Sequence, residues 1–198
     1  ESEISKVSQI IFIGNENFSS SKLKSIMKTK ERRFLRFLSS ADRYDPDKIE
    51  YDKQLISQFY NNNGFPNFTF TSSIAQLSQN TNTFEIIMYI DEGDKYNFGE
   101  IKVSTKLKKL NPELALSVIS ASTGDIFDRS KIFDSIEVIK ELAEGEGYSF
   151  IDIKPKFQEQ IADKTINIEI NIDEGPRVYV NSINIKGNTR TLDKVIRR

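Results

Sequence analysis

The side chains of this 198-residue chain best equipped for chemistry are carboxylates, and they fall into two settings. Adjacent acids end a repeated phrase, Ile90-Asp91-Glu92-Gly93 and Ile172-Asp173-Glu174-Gly175, and five more crowd one stretch as Asp42, Asp45, Asp47, Glu50 and Asp52. Neighbouring carboxylates could share a proton or hold a hard cation. The second set lacks the loop spacing and the glycine of a calcium-binding hand, and helix capping accounts for it better. The chain has no histidine and no cysteine. That removes the commonest general base, the usual sulfur nucleophile and the best zinc ligands. No glycine-rich phosphate loop, Gly-x-Ser-x-Gly elbow or metal-binding pair is present either. The expectation is a protein with no catalytic residue, no cofactor and no metal, whose function is binding.

Charge narrows the binding. Twenty-eight basic against 29 acidic residues leave a net charge of −1, too little field to draw the chain onto nucleic acid or an anionic membrane. Arg177, Arg190, Lys194, Arg197 and Arg198 make the end locally basic, which reads as a solvated face. Absence of cysteine fits the cytosol or the periplasm and argues against a disulfide-stapled extracellular module. No stretch approaches the roughly 18 consecutive apolar residues of a spanning helix, and Glu1-Ser2-Glu3 does not begin a leader. The chain reads as soluble, and its stop at Val195-Ile196-Arg197-Arg198, inside an opening helix, reads as a cut in something longer.

The elements that position these acids follow from periodicity. Ile4 to Ile13 reads as a strand with Val7, Ile10 and Phe12 on one face and Ile11 and Ile13 on the other. Ser19 caps a short helix, with Phe18 stapling to Leu23 and Ile26 and Met27 continuing the stripe. Residues 30–44 are irregular and read as a partly ordered loop. Asp45-Pro46 opens a second helix with Ile49, Leu55, Ile56, Phe59 and Tyr60 on its core face, ended by Gly64. Phe68, Phe70 and Ile74 then share one face of a strand, and Phe84, Ile86, Met88 and Ile90 share one face of its partner, across a turn at Asn80-Thr81-Asn82.

The same order returns. Phe98, Ile101 and Val103 mark a strand; Asn111-Pro112 caps a helix carrying Leu114, Leu116, Val118 and Ile119. Asp128 caps another, with Phe127 stapling to Ile132 and a stripe through Ile136, Ile139 and Leu142, ended at Gly147-Tyr148. Ile151 and Ile153 begin a strand that Pro155 interrupts, and Ile166, Ile168, Ile170 and Ile172 alternate through the last. Asp45 and Asp128, Ile49 and Ile132, Ile56 and Ile139, Gly64 and Gly147 all stand 83 residues apart, and Ile90 and Ile172 stand 82 apart, so this is a repeat in register. Val180, Ile183 and Ile185, with Gly187-Asn188, begin a third copy. The expected fold is α+β, in tandem β-α-α-β-β units whose three-stranded sheets carry two helices on one face. The expected boundaries are 1–94, 95–176 and a truncated 177–198.

Strand-helix-helix-strand-strand at this period, with Gly64-Phe65 and Gly147-Tyr148 after the second helices and Glu-Gly after the third strands, resembles the POTRA (polypeptide-transport-associated) domain. Two stretches look like the outer-membrane β-barrel assembly factors of that family: Tyr44-Asp45-Pro46-Asp47-Lys48 with Phe59-Tyr60, and Glu174-Gly175-Pro176-Arg177-Val178-Tyr179-Val180 running to Ile185-Lys186-Gly187-Asn188-Thr189-Arg190-Thr191. The arrangement looks like the third and fourth of five POTRA domains plus the start of the fifth.

The resemblance implies a mixed sheet with the third strand central and the second at an edge. It also implies a periplasmic scaffold at the outer membrane that receives unfolded outer-membrane proteins and docks accessory lipoproteins, with periplasmic chaperones as further partners. Contact with the outer membrane itself would come only through a C-terminal barrel outside this chain.

β-Augmentation, in which a client strand pairs with an exposed sheet edge, suits a receptor for many clients. The expected pairing edge is Asn67, Phe68, Thr69, Phe70, Thr71, Ser72, Ser73 and Ile74, with Phe150 to Phe157 a poorer edge blunted by Pro155. Asp91, Glu92 and Gly93, with Asp173, Glu174, Gly175, Pro176 and Arg177, are expected to form interdomain joints: turns that need glycine's φ, with the acids solvated. Gly93 and Gly175 should then set orientation more than stability. The alternatives are a related secretion or translocation barrel, or an array of nucleic-acid-binding modules. The near-neutral charge and the missing Gly-x-x-Gly loop disfavour the last.

Overall fold

The computed structural model describes residues 6–32, 42–78 and 80–176. The elements are β1 Lys6–Ile13, α1 Ser20–Ile26, α2 Pro46–Asn61, β2 Thr69–Ser78, β3 Thr83–Asp91, β4 Asn97–Thr105, α3 Pro112–Ser117, α4 Arg129–Gly145, β5 Ile151–Gln160 and β6 Thr165–Glu174. They build two mixed sheets, ordered β1-β3-β2 and β4-β6-β5. In each, the first strand runs parallel to the central one and the hairpin partner antiparallel to it. Ile4, residues 33–41 of the irregular loop, Arg177 and the third copy lie outside the described residues.

Helix starts obey their caps. Ser19 accepts from the Lys22 amide, Asp45 from those of Asp47 and Lys48, Asn111 from Glu113 and Asp128 from Ser130, each satisfying donors that the first turn leaves over. Gly64 and Gly147, after α2 and α4, take φ of +95° and +91°. One core gathers Val7, Ile10, Phe12, Leu23, Ile56, Tyr60, Phe68, Ile86 and Met88; the other gathers Phe98, Phe127, Ile132, Ile139 and the four alternating isoleucines of β6.

Val7 and Ile10 share a face although they are three residues apart. A bulge between Val7 and Gln9 supplies the extra residue, and β4 repeats it between Phe98 and Ile101. Another bulge, between Phe70 and Ser72, corrects the reading of β2. Beyond it Ser73, Ala75 and Leu77 oppose the core-facing Met88, Ile86 and Phe84, while Ile74 opposes Ile87 on the outer face and is 46% exposed. The strand also starts later and runs further than Asn67 to Ile74.

Packing departs from the periodic pattern at three more places. Pro155 does not interrupt β5, whose register with β6 is unbroken from Ile151 to Gln160. An edge strand turns alternate N–H groups away from its neighbour, where proline's missing donor is harmless. On α3, Leu114 and Leu116 are exposed and Ala115 is buried, because a helix this short meets the core through one narrow stripe. On α2, Leu55 and Phe59 are half-buried, and Asp52 occupies the core stripe with Ile49, Ile56 and Tyr60.

Asp52 is not a solvated capping acid. Its carboxylate accepts from the Lys28 and Thr29 amides just past α1. The residue 83 positions on is Ser135, also buried, whose hydroxyl accepts from the Ser120 amide after α3. Both units therefore tie their long helix to the end of their short one through a polar group on an otherwise apolar stripe. Asp42, read with the same acids, is buried and pairs with Lys6 at 3.0 Å.

Candidate functional site: an open sheet edge and the joint beside it

β2 is the outermost strand of its sheet, and every residue from Thr71 to Ser78 is exposed. Among the described residues its backbone bonds β3 on one side only, and the described helices leave the core-side face of Ser73, Ala75 and Leu77 uncovered. Among the expected edge residues, Asn67 and Phe68 precede the strand. Phe68 is core, stacked on Tyr60 with ring centroids 4.0 Å apart. Phe70 is half-buried at the rim, with the Lys53 ammonium 5.6 Å from its ring.

β5 is the matching edge of the second sheet, but it is partly engaged. The Asn67 amide donates to Glu159 at 2.7 Å. The Tyr96 hydroxyl also bonds Glu159, and this contact lifts its pKa to about 12. The Arg129 guanidinium stands 4.8 Å over the Phe157 ring.

The Asn67 and Tyr96 contacts with Glu159 belong to the joint between the units. β3 ends at Asp91 and β4 begins at Asn97, so five residues connect the central strand of the first sheet to an outer strand of the second. The Tyr96 amide donates to the Gly64 carbonyl at 2.7 Å, and Lys164 pairs with Asp94. Gly64 serves twice: beyond ending α2, it leaves room for Ile126 and Lys95, which a Cβ there would meet at 3.0 and 3.1 Å.

The acids of the two repeated phrases behave differently. Glu92, expected to be solvated, is buried. It accepts from the Tyr60 hydroxyl at 2.7 Å, from the Asn17 amide nitrogen at 3.0 and 3.1 Å, and from the Asn17 side chain. A buried carboxylate without a cation must be held by donors of this kind. Burial, then the hydrogen bond and charge of Glu92, push the Tyr60 hydroxyl above the ordinary phenol range, so it stays a neutral donor.

Glu174 is exposed, and position 143, the repeat equivalent of Tyr60, is alanine. Asp173 instead pairs with Lys106 at 3.0 Å. Gly93 has φ of +65°, whereas Gly175 does not use the left-handed region and would meet nothing closer than 3.4 Å with a Cβ. Only the first joint needs its glycine. Gly93→Val should therefore lower the first melting transition by the equivalent of about 1–2 kcal/mol, and Gly175→Val should change stability by less than about 0.5 kcal/mol. Equal losses in thermal melts of the two variants would contradict this.

No three metal-ligating side chains gather among the described residues, and among the same residues no helix is long and apolar enough to cross a membrane. The model of the POTRA family, described as surface antigen variable number repeat, matches residues 5–93 and again residues 96–175. The chain belongs to the POTRA family.

POTRA-bearing relatives include the outer membrane protein assembly factor BamA of Neorickettsia risticii, 24% identical over all of this chain and 26% of the relative. BamA of Neisseria meningitidis serogroup B is likewise 24% identical over all of this chain and 25% of its own length. The chain thus spans about a quarter of the length of these curated relatives. The crystal structure of Haemophilus influenzae BamA POTRA3-5 superposes with a TM-score of 0.74 at 24% identity, covering 98% of this chain and 76% of that one. That likeness extends the POTRA fold across both units.

Proposed function

We propose that this POTRA pair is part of a periplasmic scaffold at the bacterial outer membrane, which receives unfolded outer-membrane proteins by β-augmentation and docks accessory lipoproteins and chaperones without catalysing a reaction. Similarity to BamA assembly factors supports the setting. The observation that carries the mode of binding is β2 itself, an exposed strand with one side of its backbone unpaired among the described residues. Main-chain pairing gives affinity that is nearly independent of client sequence, as a receptor for many barrels requires. β2 is the better edge because Pro155 removes a donor from β5 and Glu159 is held by Asn67 and Tyr96.

Pro155 also supplies the test. It opposes Ile170 as Ser73 opposes Met88, and Met88 and Ile170 are equivalent positions of the repeat. Ser73→Pro therefore transplants into β2 a substitution that the second sheet already accommodates. The variant should keep its stability within about 1 kcal/mol and weaken binding of an extended outer-membrane-protein peptide at least about tenfold, a change of roughly 1.4 kcal/mol. In cells, photocrosslinkers at Thr69, Thr71 and Ser73 should capture clients. Capture from positions on the helices but not from these three would sink the proposal.

A further inference from the structure

A groove of about 680 Å³ runs between the outer face of α2 and the first turn of α4, so that both units form its walls. Phe70 and Phe133 supply its apolar surface. Phe133 is 44% exposed, a large ring left partly bare on the α4 wall across from Phe70. The Arg129 guanidinium lies 5.6 Å from the Phe133 ring, and the Lys53 ammonium is bonded to Glu50 at 2.9 Å.

With Glu50 and Asp134 balancing Lys53 and Arg129, the lining contributed by the described residues has no net charge and so offers little field to attract a polyanion or an anionic lipid surface. The rest of the α2 wall is Gln54, Ser57, Gln58, Asn61 and Asn62, amide and hydroxyl groups that donate and accept as a peptide backbone does. Phe70 is also the second residue of the β2 ladder, paired with Ile90 just after Thr69 pairs with Asp91. A strand added to β2 and running on past Thr69 therefore leaves the ladder at the mouth of this groove.

We infer that the groove receives the continuation of the extended client strand and seats one of its aromatic side chains between Phe70 and Phe133. The inference rests on β2 being the pairing edge. It adds a preference that main-chain pairing alone does not give, because aromatic pairs favour offset or edge-to-face contact beyond the area they bury.

The test uses the two-unit chain and synthetic extended peptides that carry a single phenylalanine near either end, each with an alanine control, titrated by fluorescence anisotropy. Phe133→Ser should weaken the better phenylalanine peptide about tenfold, some 1.4 kcal/mol, and leave its alanine control unchanged. Gln58→Trp, which fills the groove from α2, should have the same selective effect and guards against a folding defect in the first variant. Ser73→Pro should weaken both peptides. If the groove variants leave the phenylalanine peptide unaffected, or weaken both peptides equally, while Ser73→Pro still acts, the groove assignment is overturned and the β2 reading stands. If Ser73→Pro affects neither peptide, the β2 reading itself has failed.

Discussion

Glu92→Ala is expected to destabilise the first unit by up to about 3 kcal/mol, while Glu174→Ala, at the same place in the second phrase, changes stability by less than about 0.5 kcal/mol. The carboxylate of Glu92 is the acceptor for the fully buried Tyr60 hydroxyl and for both nitrogens of Asn17. Removing it leaves that hydroxyl in the core with no partner, a cost of about 1–3 kcal/mol, while the Asn17 nitrogens, on an exposed residue, can turn to water and add little. Glu92→Gln keeps the volume and one acceptor, so roughly half the loss is expected. Urea melts followed by circular dichroism give the values. The diagnostic comparison is a double-mutant cycle with Tyr60→Phe: once the hydroxyl is gone, Glu92→Ala should cost measurably less. Strict additivity would show that the two side chains do not depend on one another.

Gly14→Ala should be nearly as damaging, at about 3 kcal/mol. Gly14 ends β1 with φ of +98°, and a Cβ there would lie 2.2 Å from the Ile90 carbonyl oxygen. The left-handed conformation alone costs an L-residue about 1–2 kcal/mol, and relieving a clash against backbone costs about 1–3 kcal/mol more. Gly147→Ala separates the two contributions. Gly147 has φ of +91° but nothing within 4 Å of its Cβ position, so only the conformational part, about 1–2 kcal/mol, should appear. If the two alanine variants melt alike, the close approach of Gly14 to Ile90 carries no energetic weight.

Much of the architecture was legible because the repeat keeps register. Asp45 and Asp128, or Gly64 and Gly147, announce helix ends by residue type alone, and the chain obeys them. What the residue pattern does not reveal depends on partners distant in sequence. Two copies of Ile-Asp-Glu-Gly look alike, yet one acid is buried and the other exposed because position 60 is tyrosine and position 143 is alanine. Asp52 was hidden by its letter: a carboxylate on an apolar stripe reads as surface until Ser135 is seen at the same offset. The bulge at Thr71 uses no special residue, so strict alternation put Ile74 on the wrong face. On α3, leucines outrank alanine on any hydrophobicity scale, but Ala115 is the residue in the core.

The central position of β3 has a mechanical consequence. A client chain paired along β2 and drawn lengthwise would load the β2–β3 ladder in shear, where nine paired positions from Thr69 with Asp91 to Ser78 with Thr83 resist together. A pull across the edge would instead peel them one at a time. Because β3 leads directly through Gly93 and the five-residue connection into β4, tension passes from sheet to sheet along covalent backbone. The side-chain contacts around Glu159 then steer the line of pull without carrying it.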